Sequence, residues 1–200
     1  MPDEQPPGPD LPPTSWAMLG LLSFGQELSG YDAKQWADYG LAFFYWSPSV
    51  SQVYGELKRL ERIGYASSRL VAQETGDREK RVYALTEAGR AALVHWAGAT
   101  PVPPPVLKHG PMLRLWLGHL LEPDTVRGIL VQHQKDALAR AEEAAGRVEE
   151  AVADGGWEYT RLIMRWAERY HRAEHDLAVG LLADLEELQV SRGSGAFEDS

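Results

Sequence analysis

The sequence predicts a mainly α-helical protein in two parts, a winged helix-turn-helix on the N-terminal side and a helical dimerisation domain after it. Three observations lead there. Residues 47–90 run as a capped amphipathic helix, two β-type runs about a polar turn, and a second capped helix start. The stretch PVPPPVLKHGP at 101–111 cannot continue a helix through its prolines, which remove donors and clash with the preceding turn, so it divides the chain. Beyond it, two long segments each carry an apolar stripe at three- and four-residue steps.

Taken in order, Thr14 or Ser15 caps a first helix through about Phe24, with Trp16, Met18, Leu19 and Leu22 as its apolar content. Gly25 ends it. Ser29 with Asp32 three positions on predicts a second helix over about 30–39 that Gly40 closes. The run LAFFYW at 41–46 is short and aromatic and reads as a buried connection. Ser47 followed by Pro48 reads as the start of a third helix, because proline at the first helical position loses no needed donor. Val50, Val53, Leu57, Leu60 and Ile63 give that helix a core face, and Gly64 stops it. SSRLVAQE and KRVYALT about TGDRE form a β-hairpin, the wing. Thr86 and Glu87 then open a fourth helix that reaches about Trp96 and ends at Gly98.

After the proline stretch come a short apolar helix near 111–121, a long one from Pro123 to about 153, and one from Trp157 to about Leu188, the last two separated at Asp154, Gly155 and Gly156. The stripes are Val126, Leu130, His133, Ala137, Ala141, Ala144, Val148 and Val152 on one, and Ile163, Trp166, Tyr170, Leu177, Leu181, Leu185 and Leu188 on the other. A helical hairpin hides only part of such a surface. Pairing with a second copy in a homodimer covers the rest, whereas the plainer alternative is a self-sufficient three-helix bundle.

Composition sets bounds on function. The absence of cysteine removes disulfides, thiolate metal sites and cysteine nucleophiles, and suits a reducing cytoplasm. Residues 1–13 lack the basic start and apolar core of a signal peptide, and no apolar run is long enough to span a bilayer, so no membrane association is expected. A net charge of −9 taken over the whole chain opposes binding to nucleic acid, but residues 14–97 hold nine Lys and Arg against nine Asp and Glu. The surplus negative charge lies outside the expected reader. The boundaries expected are a disordered tail at 1–13, a DNA-binding domain at 14–99, a proline-rich linker at 100–110, a dimerisation domain at 111–190 and a disordered tail at 191–200.

The third helix carries Ser51, Gln52, Gly55, Lys58, Arg59 and Arg62 opposite its core face. Gln pairs with adenine in the major groove, Ser and Lys or Arg suit phosphates, and glycine permits close backbone approach. Arg78, Lys80 and Arg81 at the wing tip suit the DNA backbone or an adjacent minor groove, diluted by Asp77 and Glu79. Each of these side chains has a plainer reading as an ordinary solvated residue; their position after a helix-turn-helix and before a wing favours the functional one.

SGYD at 29–32, SPSVSQVYGELKRLERIGY at 47–65 and KRVYALTEAGRAAL at 80–93 closely resemble the PadR family of transcriptional regulators. The resemblance covers roughly residues 14–97 and extends more loosely over the C-terminal half, which looks like the dimerisation region of the longer subclass. It implies a homodimeric repressor on a palindromic double-stranded operator, released by a small aromatic or hydrophobic effector. It also places Tyr54 as a contact to the DNA backbone, with Gln52 and Lys58 flanking it, and gives Tyr83, Thr86 and Gly89 a structural role; Ser49, Ser51 and Arg59 complete the expected DNA-binding set on this helix. The chain departs from the family at Gly55, often proline there, and at Gly76–Asp77–Arg78, commonly Gly-Arg-Pro. A MarR-like regulator is the alternative among winged-helix proteins.

Seven tryptophans are many for 200 residues. Trp36, Trp46, Trp96, Trp116 and Trp166 suit an apolar effector pocket, and Trp16, Trp96 and Trp116 are singled out for that role, against the plainer reading that aromatics at helical spacing are core. HRAEH at 171–175 fits the His-x-x-Glu-His pattern of a zinc peptidase, with His171 and His175 on one helical face, but Arg169 and Arg172 beside it suit a solvated surface. A zinc-dependent hydrolase through His171, Glu174 and His175 is the remote alternative. No cofactor and no catalytic residue are expected.

Overall fold

Pro13 opens the first helix, α1 (Pro13–Leu22), with Pro12 at the N-cap and no side-chain cap. Proline gives up only an amide that has no helical acceptor, so the start needs neither Thr14 nor Ser15. Ser15 is instead fully buried, and its hydroxyl donates to Glu56. The helix stops at Leu22, short of Phe24, and Gly25 turns the chain at φ 83°. The computed structural model describes residues 10–72, 79–154 and 158–195, in two units divided between Pro103 and Pro104. The N-terminal tail lies outside the described residues as far as residue 9, and the core already includes Leu11.

In the first unit a two-residue strand, β1 (Leu28–Ser29), leads into α2 (Gly30–Tyr39). The expected capping box is present: the Asp32 amide donates to Ser29 Oγ at 3.2 Å, and the Ser29 amide to Asp32 Oδ2 at 2.9 Å. Leu41–Phe43 makes one 3-10 turn. The connection is less buried than expected: Phe43 is buried and Leu41 packs against the core, while Phe44, Tyr45 and Trp46 are exposed.

The third helix, α3 (Val50–Arg62), is capped by Ser49, two residues later than the Ser47–Pro48 start. Pro48 is fully buried, and the Ser47 hydroxyl is occupied by Asp38 and by Lys34 Nζ at 3.2 Å. Ser49 has the better offer, a reciprocal capping box with Gln52. Val53, Leu57 and Leu60 are completely buried against Met18, Leu19 and Leu22 in one cluster.

The wing is β2 (Ala66–Ala72) antiparallel to β3 (Glu79–Leu85), registered from Ala66 opposite Leu85 to Ala72 opposite Glu79. β1 pairs with the other edge of β3, giving the order β1-β3-β2. Two residues show no period, which is why β1 is not visible in the sequence. The wing turn, with Gly76, Asp77 and Arg78, lies outside the described residues. Thr86 caps α4 (Glu87–Ala99), which runs through Gly98 instead of ending there. A Cβ on Gly89 would stand 2.1 Å from the Tyr65 carbonyl oxygen, so only glycine lets α4 close on the strand entry.

The second unit holds α5 (Gly110–Trp116), a 3-10 turn at Gly118–Leu120, α6 (Pro123–Asp154) and α7 (Glu158–Gly195). The short apolar helix thus ends at Trp116 instead of 121, and α7 continues through residues expected in the tail from 191. Gly155, Gly156, Trp157, residues 196–200 and the side chain of Val152 are outside the described set. α6 and α7 pack antiparallel, as Arg127–Glu186 and His133–Glu174 pairs require. On α6 the expected stripe is the buried one: Val126, Leu130, Ala137, Ala141 and Ala144. On α7 the packed face is instead Met164, Ala167 and Ala178, and Ile163, Trp166, Leu177 and Leu188 are exposed. Alanines let the two axes approach closely, so the small-residue face wins the hairpin. Among the described residues no helix is long and apolar enough to cross a membrane.

Candidate nucleic-acid interface

With Val53, Leu57 and Leu60 locked into the core, the opposite side of α3 faces out. Ser51, Gln52, Gly55, Lys58 and Arg62 are all exposed there. The N-terminal end is organised by its cap: the Ser49 amide donates to Gln52 Oε1 at 2.8 Å, the Gln52 amide donates to Ser49 Oγ at 3.3 Å, and the Ser51 and Ser49 hydroxyls lie 3.1 Å apart. The cap engages the oxygen of the Gln52 amide and holds the side chain at the helix N-terminus. Gly55 has no neighbour within 4 Å of where a Cβ would stand, so the backbone is bare on the outward face.

Tyr54 flanks this face, 42% exposed, with its ring against Gly30. Beneath it Tyr83 is 2% exposed; burial, followed by the Glu61 carboxylate, pushes its phenol above the ordinary value, so it stays protonated. Arg59 leans to the other flank and pairs with Glu56 at 3.8 Å.

The wing bases are engaged by the body of the domain. Lys80 lies 3.6 Å from Asp32, and Arg81 lies 3.8 Å from Glu61 and donates to Ser68 Oγ at 2.6 Å. Partial burial opposes ionisation of Asp32, but bonds from the Ser29 hydroxyl and amide and the Lys80 charge outweigh it and hold the carboxyl below the usual range. These pairs tie the wing to the N-terminus of α2 and the C-terminal half of α3. Arg69 on β2 is likewise paired with Glu27 ahead of β1.

Of the expected residues, Ser49, Ser51, Gln52 and Lys58 run along the outward side of α3 from its cap, Tyr54 and Arg59 sit at its two flanks, and Lys80 and Arg81 follow on β3. Arg62, in the middle of the outward face, belongs with them; its helical phase from Ser51 and Lys58 is the signal for it. Gly30 is the member that sequence reasoning missed, because its role depends on a ring 24 residues away.

The tryptophans divide. Trp16 stacks on Trp96 at 5.0 Å and 7° within the first unit, while Trp116 is exposed on α5 of the second. Two cavities in the second unit, of about 470 and 420 Å³, are lined by none of the three. Nor does the His-x-x-Glu-His segment assemble as a centre. His175 Nδ1 lies 3.1 Å from the Gln134 carbonyl, His171 packs edge-on against Tyr170, and Glu174 turns to His109 and His133.

The three-helix core, the projecting α3 and the β1-β3-β2 wing define a winged helix-turn-helix protein. A profile of the transcriptional regulator PadR-like family matches residues 18–95. The negative transcriptional regulator PadR of Bacillus subtilis (strain 168) is 32% identical over 138 residues, spanning 69% of this chain and 74% of that one. The chain belongs to the PadR-like family of transcriptional regulators. This replaces the MarR-like alternative. The crystal structure of B. subtilis PadR in complex with operator DNA superposes with a TM-score of 0.72 at 26% identity, covering 86% of this chain and 98% of that one. The complex of the same protein with p-coumaric acid gives 0.64 at 25% identity, with the same coverage.

Proposed function

We propose that this chain is a cytoplasmic homodimeric repressor that lays α3 in the major groove of each half of a palindromic operator and leaves it on binding a small aromatic or hydrophobic effector. One observation carries the reading: an exposed helix face bearing Ser51, Gln52, Gly55, Lys58 and Arg62, held rigid by a fully buried opposite face. Gln52 reads a base edge, Lys58, Arg62 and the serines hold phosphates, and Tyr54 braces the backbone contact. Lys80 and Arg81, with Arg78, extend the contacts along the wing.

A reader with balanced charge has little non-specific attraction to draw on, so affinity comes from two copies. Residues 14–99 act as the reader and 111–190 as the spacer between readers, with 100–110 as the link. The exposed apolar residues of α7, Trp166 at 50% and Leu177 at 63%, support a partner copy on that helix. The p-coumaric acid bound by the B. subtilis relative supports a small aromatic effector.

Fluorescence anisotropy with the gene's own upstream DNA tests the reading. The full chain binds a palindrome there with a strong salt dependence, and Gln52→Ala with Lys58→Ala weakens it. Trp166→Asp with Leu177→Asp gives a monomer in sedimentation and loses operator affinity. Equal binding by all variants, or no binding at low salt, overturns it.

A further inference from the structure

Glu174 lies on α7 where two histidines from other elements converge on it. His109, at the N-cap of α5, donates from Nε2 to Glu174 Oε2 at 2.7 Å, and His133 Nε2 on α6 lies 3.2 Å from the same oxygen. All three side chains are largely shielded, at 13, 15 and 15% exposure. The imidazoles stand edge to face, centroids 4.8 Å apart, and each turns its Nε2 to the carboxylate.

We infer that His109, His133 and Glu174 form a binding site for a zinc-class divalent cation, independent of how the N-terminal unit reads DNA. Their three ligand atoms already lie within 4.8 Å of one another. Bonds of about 2.0–2.2 Å in a tetrahedral site place ligand atoms about 3.3 Å apart, so on binding the carboxylate withdraws from His109 by roughly half an ångström and the widest pair of donors closes inward from a separation of up to 4.8 Å. Two imidazoles and one carboxylate form the donor set of a three-ligand zinc site with a fourth position open, and they suit a d-block ion over magnesium, which prefers oxygen. The Tyr170 phenol, beside the same carboxylate, favours its charged form. His133 also lines the cavity of about 470 Å³, which supplies a route in.

The cation takes the place of a proton. His109 Nδ1 accepts the Met112 amide at 3.2 Å, so the ring carries its hydrogen on Nε2, facing Glu174. Coordination through Nε2 displaces that proton; with Nδ1 protonated in its stead, the Met112 amide loses its acceptor and α5 its cap. The ion therefore joins α5, α6 and α7 while loosening the first turn of α5.

The test uses the full chain, stripped with chelator and titrated with Zn²⁺, then with Co²⁺ for its visible bands. One Zn²⁺ per chain binds and raises Tm, Mg²⁺ at the same concentration does not, Co²⁺ gives tetrahedral absorption, and hydrogen exchange at the Met112 amide speeds up. Glu174→Gln, close in shape, and His133→Ala each lower affinity by about tenfold to a hundredfold or more, while His171→Ala and His175→Ala leave it unchanged. Circular dichroism shows that each variant is folded. The inference is overturned by absent or non-stoichiometric Zn²⁺ binding, or by affinity that follows His171 and His175 instead.

Discussion

Gly30 and Tyr54 compete for one volume: a Cβ at residue 30 would lie 2.4 Å from Cε1 of the tyrosine ring. The first residue of α2 and the recognition face of α3 are therefore in backbone-to-ring contact, and the absent side chain sets the ring's position. Gly30→Ala is expected to swing the ring toward solvent, costing about 1–2 kcal/mol of unfolding free energy and weakening DNA binding. Tyr54→Ala should remove most of that stability penalty in the double variant. Chemical denaturation of the four proteins in the cycle checks it; purely additive effects would refute the shared-volume account.

Gln52 serves two roles that a single substitution separates. Glutamate at this position keeps the acceptor for the Ser49 amide, so Gln52→Glu should stay within about 0.5 kcal/mol of the parent in stability. It removes the amide donor, the part of the side chain left free by the cap, and turns a negative charge toward the phosphates, so operator affinity should fall roughly tenfold. Gln52→Ala loses both functions. Thermal melts and anisotropy on the same samples distinguish the two losses.

At Gly55 stability and binding are expected to move in opposite directions. A methyl group there meets open space in an exposed helix interior, so Gly55→Ala should stabilise the protein by about 0.5–1 kcal/mol. If the bare backbone approaches DNA, the same methyl weakens operator binding. A variant that melts higher and binds equally well would remove Gly55 from the interface.

Asp32 links the α2 cap to the wing, and its carboxyl is held below the ordinary range by Ser29 and Lys80 against the effect of burial. A folded pKa below the unfolded one means that stability is fully present at neutral pH and is lost as the pH falls from about 4 through the folded value. Asp32→Asn should lower stability at pH 7 and flatten the acid limb of the stability profile by its share. Denaturation midpoints between about pH 7 and pH 3 measure this, and an unaltered acid limb would show that the Asp32 contacts contribute nothing.

The sequence by itself determined the elements whose signals are local. The Ser29–Asp32 box, the Thr86 cap and the Val53–Leu57–Leu60 stripe all join residues within a turn or on one face, where hydrogen bonding and helical period act without outside help. Together they made the winged helix, the family and most of the α3 face legible. Tertiary structure decided what local rules left in competition. Ser47 and Ser49 both qualify as caps, and α3 starts at the second because Asp38 and Lys34 take the first. α7 carries two apolar faces of similar period, and close approach to the alanines of α6 chose Met164, Ala167 and Ala178, leaving Trp166 and Leu177 outside. Glu174 meets His109 across 65 residues, a contact that exists only once α5, α6 and α7 are packed. Periodicity records what a residue can do for its own helix, but which surface it meets depends on shape and on partners that are distant in the chain.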